Sequence, residues 1–141
     1  MLVLSIDPGR AKCGIALCTP IEGTDRPRIV FKEIVPTLRV VARIEDLIAE
    51  HHPSIILLGD GTQSATLRKA VLRVLPENLP LEVVPEAFST QRTRMRLQAE
   101  WLPKGFLRLI PKGLRPAPKA YDDYVAALLA EDWLMRQRTS Q

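Results

Sequence analysis

Apolar positions along the chain change period several times, and each change predicts an element. Leu2 to Ile6 is a short apolar run closed by Asp7-Pro8-Gly9. Proline presets one turn dihedral there and glycine accepts the next. Gly14 to Cys18 resumes the apolar reading, so residues 2–18 form a tight pair of strands, and Arg28 to Val35 adds a third after a loop. From Leu38 the spacing turns helical through Val41, Ile44, Leu47 and Ile48, ending near His51-His52-Pro53. Ser54 to Leu58 is continuously aliphatic, which marks a central parallel strand covered on both faces. A loop at Gly59-Asp60-Gly61-Thr62 precedes a helix through Leu67, Val71, Val74 and Leu75. Leu81 to Val84 is the next strand, stopped by Pro85. Ser89 or Thr90 then caps a helix to about Leu102, residues 103–119 form a long loop, and a last helix runs from Tyr121 to Arg136. The predicted class is α/β: a mixed five-stranded sheet, three antiparallel strands then parallel ones, flanked by helices.

In such sheets the functional crevice lies beyond the carboxyl ends of the parallel strands. Asp7 closes the first strand, while Asp60 and Glu86 come just after the fourth and fifth. Asp122-Asp123 opens the last helix. With position 122 at zero on a helical wheel, Ala126, Leu129 and Trp133 fall within about 40° and Glu131 falls opposite. Asp122 is therefore expected to face the sheet, with Asp123 on the flank beside Ala127 and Ala130. Carboxylates gathered on one rim repel unless a cation sits among them, and magnesium or manganese, both oxygen-seeking, removes that repulsion. Singly, each acid also suits a turn or a helix cap.

Length and charge narrow the reading. With 141 residues, 46% hydrophobic and 26% charged, the chain suits one globular domain over 1–141. The apolar runs are too short for a membrane span, and the N-terminus lacks the basic start of a signal peptide, so a cytoplasmic location is expected. Cys13, Cys18, His51 and His52 are the thiols and imidazoles. Their spacing fits zinc poorly, and both cysteines read as reduced, small apolar residues of a strand. Arg92, Arg94, Arg96, Lys104, Arg108, Lys112, Arg115 and Lys119 are eight cations with Glu100 as the one acid among them. That stretch carries +7 where the whole chain carries +4, so the remainder is slightly acidic. Positive charge is thus concentrated in one segment, as nucleic-acid binding requires. Trp101 and Phe106 lie among these cations, placed either to stack on bases or to anchor the segment to the core.

Ile6-Asp7-Pro8-Gly9-Arg10-Ala11-Lys12-Cys13-Gly14-Ile15-Ala16 resembles the Asp-x-Gly-x4-Gly-x-Ala opening of the RuvC/YqgF family. That family comprises Holliday junction resolvases and pre-16S ribosomal RNA nucleases on a ribonuclease H-like fold. Glu86-Ala87-Phe88-Ser89-Thr90 resembles its Asp-Glu-Arg-x-Ser-Thr segment, and Asp123-Tyr124-Val125-Ala126-Ala127 its Asp-x-x-Ala-Ala helix. The likeness spans nearly the whole chain. It implies a magnesium- or manganese-dependent endonuclease acting on branched DNA or structured RNA. Asp7, Glu86 and one of Asp122 and Asp123 would be the catalytic metal ligands, with Asp60 in reserve. The motif spacing selects Asp123 and the helical wheel Asp122. Arg10 and Lys12 of the opening motif join the basic segment as expected nucleic-acid contacts. Pro85 and Ala87 depart from the family pattern beside Glu86, which keeps open a domain that binds nucleic acid without cutting it. A phosphate-loop ATPase shares the first motif but needs two such domains. Symmetric resolution of a four-way junction would require a two-fold dimer.

Overall fold

The computed structural model describes residues 1–23, 27–61, 63–85 and 122–139, with backbone alone at 122–124, 138 and 139. Five strands, β1 (Val3–Asp7), β2 (Lys12–Thr19), β3 (Arg28–Pro36), β4 (Ile55–Gly59) and β5 (Leu81–Val84), form one sheet in the order β3-β2-β1-β4-β5. β2 runs antiparallel to β1 and β3, whereas β1, β4 and β5 are mutually parallel. The helices are α1 (Val40–His51), α2 (Ser64–Leu72) and α3 (Asp122–Thr139), with a 3-10 turn at Thr37–Arg39. The mixed five-stranded architecture is the one the sequence predicts.

Strand alternation divides the core in two. Leu4, Ile6, Cys13, Ile15, Leu17, Ile56 and Leu58 face Val40, Ile44 and Leu47 of α1 and Leu67 and Val71 of α2. Val3, Ala16, Cys18, Ile55, Leu57 and Val84 face Ala126, Ala127, Leu129, Ala130, Trp133 and Leu134 of α3. All five residues of β4 are buried, as expected of a central strand between two helical layers.

Three expectations are corrected. α2 stops at Leu72 and does not reach Val74 and Leu75; Pro76 disfavours helical geometry in the residue before it. Instead, Val74 N–H donates to the Val71 carbonyl in a closing turn. α3 extends three residues past Arg136, to Thr139. Glu131, expected on the outer side of α3, is buried and lies close enough to Cys18 to perturb its thiol. Val125-Ala126-Ala127-Leu128-Leu129-Ala130 has no polar stripe, and α3 is covered on more than its sheet face. The cysteines are free and buried, and they occupy opposite faces of β2, so no single metal can take both.

Candidate active site

The parallel strands β1, β4 and β5 end on one rim of the sheet. Asp7 is the last residue of β1 and Asp60 follows the last residue of β4, both as expected from the sequence. Asp60 N–H donates to the Val84 carbonyl at 3.0 Å, so the β4–β5 ladder continues one residue beyond the strand. β5 thereby delivers the chain to Pro85 beside Asp60. Glu86, the helix expected after Ser89 or Thr90, the loop 103–119 and the eight cations Arg92, Arg94, Arg96, Lys104, Arg108, Lys112, Arg115 and Lys119 lie outside the described residues.

Alternation places Asp7 on the α3 side of the sheet, in line with Val3 and Ser5. Gly14 of β2 is directly opposite Asp7. The β1–β4 register, Ile6 beside Leu58, brings Gly59 alongside on the other strand. The half-buried Asp7 is thus flanked on its own face by Gly14 and Gly59, two residues without side chains. Gly14 belongs to the opening motif of the sequence, but the pairing of Gly59 with the same level appears only in the register.

The direction of α3 follows from one hydrogen bond and one electrostatic neighbour. Ser5 Oγ donates to the Ala126 carbonyl, and Glu131 lies near Cys18, whose β2 position pairs with Val3. α3 therefore runs back along β1, with its first turn, at 122–125, towards the Asp7 end. The sheet-packed stripe from Leu129 through Ala126 and Ala130 to Ala127 is centred about 60° from position 122 and about 40° from position 123. It does not choose between them. Further along, Trp133 Nε1 donates to Glu82 Oε2 at 2.9 Å and fastens α3 to the edge strand β5.

The loop leaving Asp7 is braced from β3. Thr37 N–H donates to the Ala11 carbonyl at 2.9 Å, and Thr37 Oγ1 donates to the Gly9 carbonyl at 2.9 Å. Cys13 Sγ lies 3.5 Å from the same hydroxyl. Gly9 has a steric reason to be glycine: a Cβ there would lie 2.1 Å from the Lys12 carbonyl oxygen. Arg10 on this braced loop and Lys12 at the start of β2, expected as nucleic-acid contacts, are both exposed. Thr37 carries no motif signal, because its hydroxyl's partner, Gly9, lies 28 residues away in sequence.

A hard divalent cation fits this donor set. Asp7 and Asp60 offer carboxylate oxygens at the ends of adjacent strands. Among the described residues no group of three acids, histidines or cysteines is gathered closely enough to complete a site.

No family model matches the chain, and no curated protein resembles it significantly in sequence. Its fold is shared with solved structures. Thermus thermophilus RuvC superimposes with a TM-score of 0.71 at 18% identity, covering 99% of this chain and 97% of that one. The same protein in complex with Holliday junction substrate gives 0.60 at 18% identity, covering 99% and 96%. A fowlpox virus resolvase in complex with Holliday junction DNA gives 0.63 at 15% identity, covering 97% and 99%. The likeness shows that the ribonuclease H-like fold of the RuvC resolvases extends over essentially the whole chain. Among the described residues no helix is long and apolar enough to cross a membrane.

Proposed function

We propose that this chain is a divalent-metal-dependent endonuclease that hydrolyses phosphodiester bonds in branched DNA of the Holliday junction type. The observation that carries the reading is Asp7 at the end of β1, between Gly14 and Gly59, on a rim where β1, β4 and β5 all terminate and towards which α3 begins. The neighbours that share this fold over their full length include two solved with junction DNA. Asp7, Glu86 and Asp122 or Asp123 would hold magnesium or manganese, with Asp60 in reserve. When bound, such an ion supplies Lewis-acid stabilisation of charge on the scissile phosphate and lowers the pKa of water.

The chain's own residues do the rest. The β1–β2 loop, pinned by Thr37, fixes Asp7 relative to Arg10 and Lys12, which bind flanking phosphates. The cations of 92–119 hold the arms of the substrate. In this reading residues 1–141 act as one cytoplasmic domain that works on junctions as a two-fold dimer.

The test is incubation with labelled four-way junction, single-stranded DNA and structured RNA in magnesium, manganese or EDTA, with Asp7→Asn as the control. Metal-dependent junction cutting, lowered at least 1000-fold in Asp7→Asn while binding persists, is the expected result. Preference for structured RNA would move the substrate to ribosomal RNA precursors. Salt-sensitive binding without cutting under every condition would replace the nuclease by a binding module.

A further inference from the structure

Leu38 is the outlier of the described surface. It is 100% exposed, whereas the other exposed large apolar residues, Met1 apart, are less than half exposed. Scattered apolar residues at a surface are ordinary; what separates Leu38 is how it is held. The turn Thr37–Arg39 follows the edge strand β3 and is fastened at two points to the β1–β2 loop, through the Ala11 and Gly9 carbonyls. The β2–β3 register sets Lys12 opposite Pro36, so Lys12 lies next to this turn. Arg10, Lys12 and Arg39 are exposed, and neither 8–15 nor 36–42 contains an acid. A fully exposed leucine is therefore mounted on a braced turn, among three cations, beside the loop that leaves Asp7.

Cations attract phosphate, and an apolar tip between them suits the faces of bases. Leucine is one of the side chains that proteins drive between base steps, at the cost of unstacking them. We propose that Leu38 is such a wedge, entering the base stack of a branched nucleic acid while Arg10, Lys12 and Arg39 grip the neighbouring phosphates. The proposal rests on the nuclease reading, because it takes the Asp7 rim as the place where substrate lies. It also supplies a source of selectivity. Pairs at a branch point are already poorly stacked, so insertion costs less there than in continuous duplex.

The experiment compares wild type, Leu38→Ala and Leu38→Met on a four-way junction with 2-aminopurine at its centre and on a linear duplex of equal length, in EDTA. Wild type is expected to raise the 2-aminopurine fluorescence of the junction. Leu38→Ala should bind the junction about tenfold more weakly and lose that rise, with duplex affinity within about twofold. Leu38→Met should retain both. Urea midpoints should coincide, since the side chain is outside the core. Equal junction affinity and fluorescence in Leu38→Ala would overturn the wedge and leave the nuclease reading standing. A wild-type protein that binds no nucleic acid would overturn both. A changed sedimentation coefficient in Leu38→Ala with unaltered DNA binding would assign the residue to contact between copies of the chain and reject the wedge.

Discussion

The Thr37 hydroxyl donates to the Gly9 carbonyl at 2.9 Å, so the end of β3 sets the shape of the loop that leaves Asp7. Thr37→Val keeps the branched shape and removes the donor, leaving a part-buried carbonyl short of one partner. Stability should fall by about 1 kcal/mol in urea unfolding, and Thr37→Ser should restore it. In a cleavage assay the valine variant should lose turnover more than affinity, because the loop is displaced while Arg10 and Lys12, the proposed phosphate contacts, remain. Unchanged stability in Thr37→Val would show that the bond does not hold the loop.

Gly9→Ala is the harsher change at the same place. Its new methyl would lie 2.1 Å from the Lys12 carbonyl oxygen, and backbone, not a flexible side-chain tip, would have to move. A loss of about 2 kcal/mol or more is expected in thermal or chemical unfolding. A neutral Gly9→Ala would mean that the loop has room elsewhere.

How much of this was legible in the sequence depends on range. The aliphatic run Ile55–Leu58 announces a doubly covered strand by itself, and the structure makes β4 fully buried. Of the helical period Val41, Ile44, Leu47 and Ile48, Ile44 and Leu47 enter the core together with Val40, while Val41 and Ile48 pack against it partly buried. Asp7 and Asp60 are legible at the strand ends because a strand's end is a local signal. Glu131 failed for a specific reason: a helical wheel assumes one buried face, and α3 has more than one. The bracing role of Thr37 and the glycine neighbours of Asp7 depend on strand register, which joins distant parts of the chain and leaves no mark on a single segment. His52, held with φ of 50° at the end of α1 where glycine is usual, left no sequence signal either.

Alkaline pH should expose Cys18. Burial first, and the nearby Glu131 carboxylate second, raise its thiol from 9.0 to about 12. The folded state thus favours the neutral thiol, and the stabilisation is complete below pH 9. Above it the unfolded chain ionises first, so stability should decline between pH 9 and pH 12. Cys18→Ala should flatten that limb in pH-dependent urea titrations. At neutral pH the native protein should react with a thiol reagent at Cys18 only after unfolding. Rapid native labelling of Cys18 would contradict its burial.

The Trp133 indole donates to the Glu82 carboxylate and so ties α3 to the edge strand β5. Glu82→Gln keeps an acceptor and should cost less than about 1 kcal/mol, whereas Trp133→Phe removes the donor and should cost about 1–2 kcal/mol. Because β5 is the strand that leads to Glu86, Trp133→Phe should also lower cleavage beyond its effect on overall stability. Equal loss from both variants would argue that packing, and not the hydrogen bond, holds this edge.

Nucleic-acid binding should be strongly salt-dependent. If about four cations meet phosphates, the logarithmic salt slope is about −3.6, and affinity falls about 150-fold from 50 to 200 mM salt. Filter binding or fluorescence anisotropy across that range measures it. A slope near zero would remove the basic segment from the interface.

The bond from Ser5 to Ala126 spans 121 residues, and its consequence is temporal. A ribosome releases the strand that bears Asp7 before α3, which lies over that strand and emerges on the order of ten seconds later at ordinary elongation rates. Until then the Asp7 rim lacks one wall, and an abandoned or truncated translation product cannot assemble it. On the nuclease reading proposed above, the site would thus stay incomplete until α3 has docked on β1.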